Sequence, residues 1–190
     1  MKSITEIFKG LELTESEYTF IQERCQKLEL SKGDILLEKG QPTLSQYYVL
    51  EGCLRSFFED THERDHTLQF AIHDWWISDY TAFFDGNPAV LTIESIQKTT
   101  VLEFSREAQI EIFENIPKVE SFFREKMEHS FGAFQKRIIN DLSKTAKEKY
   151  LDFLQTHKEI ETHIKNYHIA SFLGITTESL SRIRREIAKH

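Results

Sequence analysis

The chain is short of the residues that staple or break a fold. It has two cysteines, Cys25 and Cys53. These are too few for a disulfide framework, and no Cys-x-x-Cys pair is present for zinc, redox chemistry or an iron–sulfur cluster. Three prolines and seven glycines in 190 residues exclude collagen-like and low-complexity architectures. No apolar run approaches the roughly 18 residues of a membrane helix, and Met1–Lys9 lacks the continuous apolar stretch of a secretory signal. A soluble cytoplasmic protein without a membrane partner is expected. Fifteen phenylalanines within a 39% hydrophobic composition supply ample material for a core.

Positive charge is scarce overall. The net charge is −7, which alone argues against nucleic acid. The distribution reverses that reading. Residues 1–135 hold 13 Lys and Arg against 24 Asp and Glu, whereas residues 136–190 hold 11 against 7. An acidic front and a basic tail point to two bodies with different partners.

Thr14 and Glu17 have capping-box spacing, so a helix is expected from about residue 15 to 26. The pattern then alternates. Leu28–Leu30, Ile35–Leu37, Tyr47–Leu50, Leu54–Phe58, Thr67–Phe70, Leu91–Ile93 and Thr100–Phe104 read as short strands separated by turn residues, with Glu51-Gly52 as a tight hairpin turn. Strands at this spacing indicate a jelly-roll type of barrel or sandwich. After Ser105 the period becomes helical. One helix covers Arg106–Asn115, and Pro117 opens another that runs to about Leu142. Phe123, Met127, Phe131, Phe134 and Ile138 recur on it like a coiled-coil seam, which predicts a homodimer.

Thr145 and Glu148 form a second capping box. Beyond them, Ile169 to Ile183 has helix-turn-helix anatomy. Ala170 is small where two helices cross, Gly174 ends the first helix, and Thr176 caps the second. Ile169, Leu173, Leu180, Ile183 and Ile187 form the inward stripe. The outer face carries Thr177, Glu178, Ser181, Arg182 and Arg185, within a basic cluster that includes Arg184 and Lys189. Arg can bond both guanine acceptors and Glu can accept from the cytosine amino group, so Glu178 and Arg182, four apart, can address one G·C pair. The fold class expected is α+β, with three parts. Residues 1–115 form an antiparallel β-roll (jelly-roll or double-stranded β-helix), residues 116–143 a long dimerisation helix, and residues 144–190 a helical helix-turn-helix domain.

With these parts in place, the chain resembles the Crp/Fnr family of transcription regulators over nearly its full length. The matching runs are Lys32-Gly33-Asp34 with Gly40, Tyr48 to Arg55 around Glu51-Gly52, and Ile169 to Ile183. The resemblance implies a cyclic-nucleotide-binding-like sensory β-roll, double-stranded DNA with a pseudo-palindromic operator as partner, and RNA polymerase as a further partner. It implies no enzyme activity. It makes Thr177, Glu178 and Arg182 base-reading residues and Lys165, Thr176 and Ser179 phosphate contacts, with Ser181 and Arg185 flanking them. It places an effector cassette at about Ile77–Val90. There the chain departs from the cyclic-AMP binders: Ser78-Asp79 replaces Gly-Glu, and Ala89-Val90 replaces Arg-Ser. A buried phosphate without its bidentate Arg lacks compensation for lost water. The effector expected at Ser78, Asp79, Ala89 and Val90 is therefore an unknown small molecule other than cyclic AMP, and no metal or cofactor is expected. Family members commonly add a β-hairpin wing after the recognition helix, for which the sequence offers no residues before His190.

Two other readings use different residues. His62, His66 and His73 on the β-roll suggest a cupin-like metalloenzyme or a haem sensor, although no His-x-His with a downstream Glu accompanies them. Trp75, Trp76, Phe83 and Phe84 fit an interaction or effector module without DNA binding, or simply the core.

Overall fold

A computed structural model describes residues 2–188, so Lys189 of the basic cluster lies outside the described residues. Helices α1 (Lys2–Ile7) and α2 (Glu15–Gln22) precede strands β1 (Gln26–Leu30), β2 (Ile35–Leu37), β3 (Ser45–Glu51), β4 (Leu54–Glu59), β5 (Asp65–Ala71) and β6 (Trp76–Ile77). Helix α3 (Tyr80–Asp85), β7 (Thr92–Ser95) and β8 (Thr99–Ser105) complete the roll. Then come α4 (Arg106–Asn115), α5 (Pro117–Ser143), α6 (Ala146–Glu161), α7 (Asn166–Leu173) and α8 (Thr177–Ile187). The fold is α+β, with the antiparallel roll first and the helices after it.

The strands form two four-stranded antiparallel sheets, ordered β1-β8-β3-β6 and β2-β7-β4-β5. Their facing sides bury Val49, Leu54, Ile77, Ile93 and Val101. The Glu51-Gly52 turn requires glycine twice over. Its φ is +94°, and a Cβ there would stand 2.5 Å from the Lys98 carbonyl oxygen. Helix α2 stops short of the expected residue 26 because Gln26 pairs with Glu103 in the β1–β8 ladder. Its capping box is present: the Thr14 amide donates to Glu17 at 2.7 Å, and the Glu17 amide to Thr14 Oγ1 at 3.3 Å. Helix α1, which no capping signal announces, buries Ile4 and Ile7 with Phe8 against Tyr48, Phe104 and Val119.

The roll and the C-terminal helices share one core. Cys53, Phe70 and Ile96 of the roll pack with Tyr150, Phe153, Ile169, Leu173, Leu180 and Ile183. Phe70 is wholly buried and meets the Phe172 ring at 5.3 Å and the Phe153 ring at 6.1 Å. Fully burying one Phe is worth roughly 1.5–3 kcal/mol, so these rings outweigh any surface ion pair, at about 0–1 kcal/mol. Polar links add direction. Ser171 Oγ donates to the Asp65 carbonyl at 2.6 Å and accepts from the Thr67 amide at 2.9 Å.

Beneath this junction Arg55 on β4 is 1% exposed and donates to Asp65, Glu94 and Thr67, each at 2.8 Å. His168 of α7 lies 3.8 Å from Glu94. His157 sits where α6 kinks, at φ −124°. Its ring stacks on Phe153 at 4.7 Å and meets Trp75 at 5.6 Å. Both His157 nitrogens and Nδ1 of His168 are buried without a side-chain hydrogen-bond partner at normal geometry among the described residues.

Burial pushes both histidines down to about 4, with the nearby Arg55 charge also acting on His168. The unfolded chain takes up these protons near pH 6.5, and the native state refuses them until about pH 4. Their stabilising contribution is therefore complete above pH 6.5 and is lost as pH falls through that window. Each is worth up to about 3 kcal/mol. Denaturant titrations across the window should show stability falling with acid, and His157→Phe should remove about half of that slope. An unchanged slope in the variant would exclude His157 as its source.

Candidate nucleic-acid interface

The geometry of α7 and α8 follows from three local signals. Gly174 adopts φ +67° and turns the chain out of α7, its amide bonding back to α7 carbonyls. The Ile175 amide reaches the Ala170 carbonyl at 3.0 Å. Thr176 caps α8 by accepting from the Ser179 amide at 3.2 Å. Leu180 and Ile183 are buried with Ile169 and Leu173, and the helix pair thereby turns its remaining face outward.

That face gathers the residues singled out in the sequence. Thr176, Glu178, Ser181, Arg182 and Arg185 are exposed, and Thr177 and Ser179 are half-buried. Glu178 and Arg182 do not pair with each other among the described residues. Glu178 instead accepts from the Thr177 hydroxyl at 3.2 Å. Its own backbone amide and the Thr176 and Thr177 hydroxyls hold its carboxyl below the usual range, so it is an acceptor at neutral pH. Arg185 only folds back on the Ser181 carbonyl, at 3.4 Å.

Arg184 departs from the basic cluster read in the sequence. It turns inward, donating to the Tyr150 hydroxyl at 2.9 Å and to Asn166 at 2.6 Å, and it pairs with Glu161. A residue two positions from Arg182 lies on the other side of a helix; the spacing held that information.

Lys165 stands at the N-terminus of α7, where no side chain caps the helix, and donates to the Tyr167 hydroxyl at 3.1 Å. It lines a cleft with Lys32, His163, Tyr167 and His168. Lys32 belongs to the turn between β1 and β2 and stands in the sequence only within the Lys32-Gly33-Asp34 run, with no contact assigned to it. The fold brings it to the same cleft as Lys165, from 133 positions away along the chain.

The other site residues separate into two groups. In the cassette, Ser78 Oγ donates to the Ser45 carbonyl at 2.8 Å, Ala89 is buried and Val90 is exposed. The Asp79 carboxylate is fully buried and accepts from Thr81 (2.6 Å) and from the amides of Ala82 (3.2 Å), Val90 (2.7 Å) and Leu91 (2.9 Å). Burial pushes its acidity one way, and these donors outweigh it, leaving the carboxyl below its ordinary range. On α5, Phe123 turns into the roll against Trp76 (4.7 Å) and Phe113 (5.5 Å), and Met127 is half-buried. Phe131, Phe134, Ile138 and Leu142 remain exposed, Leu142 by 84%.

The roll histidines do not converge. His66 pairs with Asp60 at 2.9 Å, and His73 bonds the Leu50 carbonyl at 2.8 Å. Among the described residues no group of three metal-ligating side chains forms. Of the aromatic quartet, Phe83 is buried and Phe84 is 53% exposed.

The cyclic nucleotide-binding domain model matches residues 27–115. No curated protein sequence matches. Among solved structures, the c-di-GMP responsive global regulator CLP of Xanthomonas campestris superposes with a TM-score of 0.74 at 10% identity, over 93% of this chain and 92% of that one. A protein described as a transcriptional regulator of the Crp/Fnr family from Eubacterium rectale gives 0.72 at 20% identity, over 93% and 84%. FixK2 of Bradyrhizobium japonicum gives 0.69 at 18%, over 87% and 85%. The resemblance to the Crp/Fnr regulators therefore holds in the fold: a cyclic nucleotide-binding type of roll followed by the helical C-terminal part. No described helix is long and apolar enough to cross a membrane.

The inward and outward arginines of α8 make opposite predictions. Arg184→Ala removes the cation facing Glu161, which keeps the Tyr150 hydroxyl at 2.9 Å, and should lower stability by about 1–3 kcal/mol. Arg182→Ala should leave the melting temperature unchanged. Equal melting shifts in the two variants would contradict this division of roles.

Proposed function

We infer that the chain is a homodimeric, sequence-specific DNA-binding transcription regulator. The observation that carries this reading is the exposed N-terminal face of α8. Glu178, Ser181, Arg182 and Arg185 project together from a helix whose opposite face is buried. A recognition helix enters the major groove with such a face against base edges. Arg182 and Glu178 read a G·C pair, with Thr177 beside them. Lys165, Lys32, Thr176, Ser179 and Arg185 meet the phosphate backbone, which fixes register without reading sequence.

The partner protomer docks along α5. Phe131, Phe134, Ile138 and Leu142 lie exposed at helical spacing, and a second copy of the same stripe covers them with two-fold symmetry. Two recognition helices then stand about 34 Å apart and read half-sites one DNA turn apart. The effector of the roll is not a cyclic nucleotide. Asp79 already takes the hydroxyl and amide donors of the cassette, and Arg55 is committed to two carboxylates. A phosphate brought there would meet the buried negative charge of Asp79.

Selection from random duplex DNA by the protein without added ligand should enrich a two-fold motif. Arg182→Ala should weaken the specific site by about 1–3 kcal/mol and spare random duplex. An equal loss on random DNA would make Arg182 a phosphate contact. Lys165→Ala should flatten the salt dependence by about one unit of log–log slope per protomer. Failure to enrich any motif would favour an interaction module without DNA binding.

The dimer has its own test. Ile138→Glu puts a charge into the apolar seam and should yield monomers by sedimentation, with an unchanged circular dichroism spectrum. A variant that remains dimeric would place the interface elsewhere.

A further inference from the structure

Arg137 of α5 lies between Phe134 and Ile138 in the sequence, beside the exposed apolar stripe, and its side chain reaches away from the stripe to the roll and α7. Its guanidinium lies over the Phe172 ring of α7 at 4.0 Å. It donates to the carbonyl of Leu68 on β5, and reaches the Thr67 carbonyl at 3.4 Å and the Phe172 carbonyl at 3.3 Å. Asp141, one turn along α5, is 3.7 Å from its Nε. One side chain therefore touches the long helix, the edge of the roll and the first helix of the DNA-reading pair.

The carbonyl at Leu68 is available for a structural reason. β5 is the edge strand of its sheet. Its register with β4 slips between Ser56, which faces Gln69, and Phe57, which faces Thr67. Leu68 is the extra residue of that bulge, left out of the ladder. The Phe172 carbonyl is among the last of α7, where backbone acceptors lack helical partners and a cation is favoured. A guanidinium suits this place because it is flat enough to stack on a ring and carries five donors in its plane. An ammonium is a point charge and supplies neither property.

We propose that Arg137 is a positioning residue that staples the helix-turn-helix pair to both α5 and the β5 bulge, and thereby sets the separation of the two recognition helices in the dimer. The proposal rests on the DNA-binding reading for its functional half. The seam residues Phe134 and Ile138 flank Arg137, so the rotation of α5 chosen by dimer packing is passed directly to α7. Arg137 touches no base and no phosphate in this scheme.

Two measurements on the full chain test it, with Arg137→Lys and Arg137→Gln as variants. Without DNA, amide exchange in β5 and α7 should be roughly tenfold faster in Arg137→Gln, and Arg137→Lys should not restore protection. Wild-type exchange rates in both variants would overturn the staple. With DNA, selection uses paired half-sites at varied separation. The wild type should enrich one separation, and both variants should enrich several separations of the same half-site sequence. A uniform loss of binding at every separation would overturn the positioning role. If the wild type enriches no half-site, the DNA-binding reading falls and takes the spacing role with it, while the exchange result still decides the staple.

Discussion

A guanidinium with 1% exposure cannot remain unpaired, because an uncompensated buried charge costs several kcal/mol. Arg55 meets that demand by recruiting both neighbours of its strand. Glu94 is its direct cross-strand partner on β7, and Asp65 begins β5 on the other side. The three side chains hold β7, β4 and β5 in register independently of the apolar core. The same carboxylate residues face the C-terminal helices. Glu94 approaches His168, and the Asp65 backbone carbonyl receives Ser171. The residues that pair with the buried charge thus also meet α7.

What holds α7 there is apolar. Phe70, Phe153, Phe172 and His157 interlock at ring separations of 4.7–6.1 Å. An uncharged His157 is part of that packing, and burial among these rings favours its neutral form. Polar contacts at the junction are too few to supply the binding energy, yet they are directional. Apolar burial makes the roll and the helix pair one body, and Ser171 and Arg137 add directional contacts across the junction.

The parts legible in the sequence are those decided within a few residues. Thr14 with Glu17 and Thr145 with Glu148 are capping boxes in the structure as in the sequence. Gly174 and Thr176 delimit the turn they were expected to delimit. The outward face of α8 follows from helical period alone. Long-range partners were not legible. Phe123 fits the seam by spacing, but Trp76 and Phe113 draw it into the roll. The partners of Arg137 have no local signal, because nothing in the sequence announces a bulge at Leu68. Asp79 reads as a departure from a ligand-binding pattern, whereas its donors include Val90 and Leu91 across the loop after α3.

The inward cations also change the meaning of the basic tail. Of the positive charges after residue 135, Arg137 and Lys149 face Asp141, Lys144 faces Asp152 and Arg184 faces Glu161. Net charge by segment therefore overstates what this part offers to a phosphate backbone. The cations gathered near α8 and the α7 N-terminus are Arg182, Arg185 and Lys165, joined by Lys32 from the acidic half. With Arg182 reading a base under the proposed function, Arg185, Lys165 and Lys32 would give three charged phosphate contacts per protomer, below the roughly 6–10 phosphates that give strong salt-dependent binding. Two protomers reach that number. Under the proposed function the exposed stripe of α5 and the sparse charge of α8 are one requirement: a dimer would supply the electrostatic affinity that a single acidic chain lacks, and base reading by Glu178 and Arg182 would carry a larger share of discrimination than in a strongly basic domain.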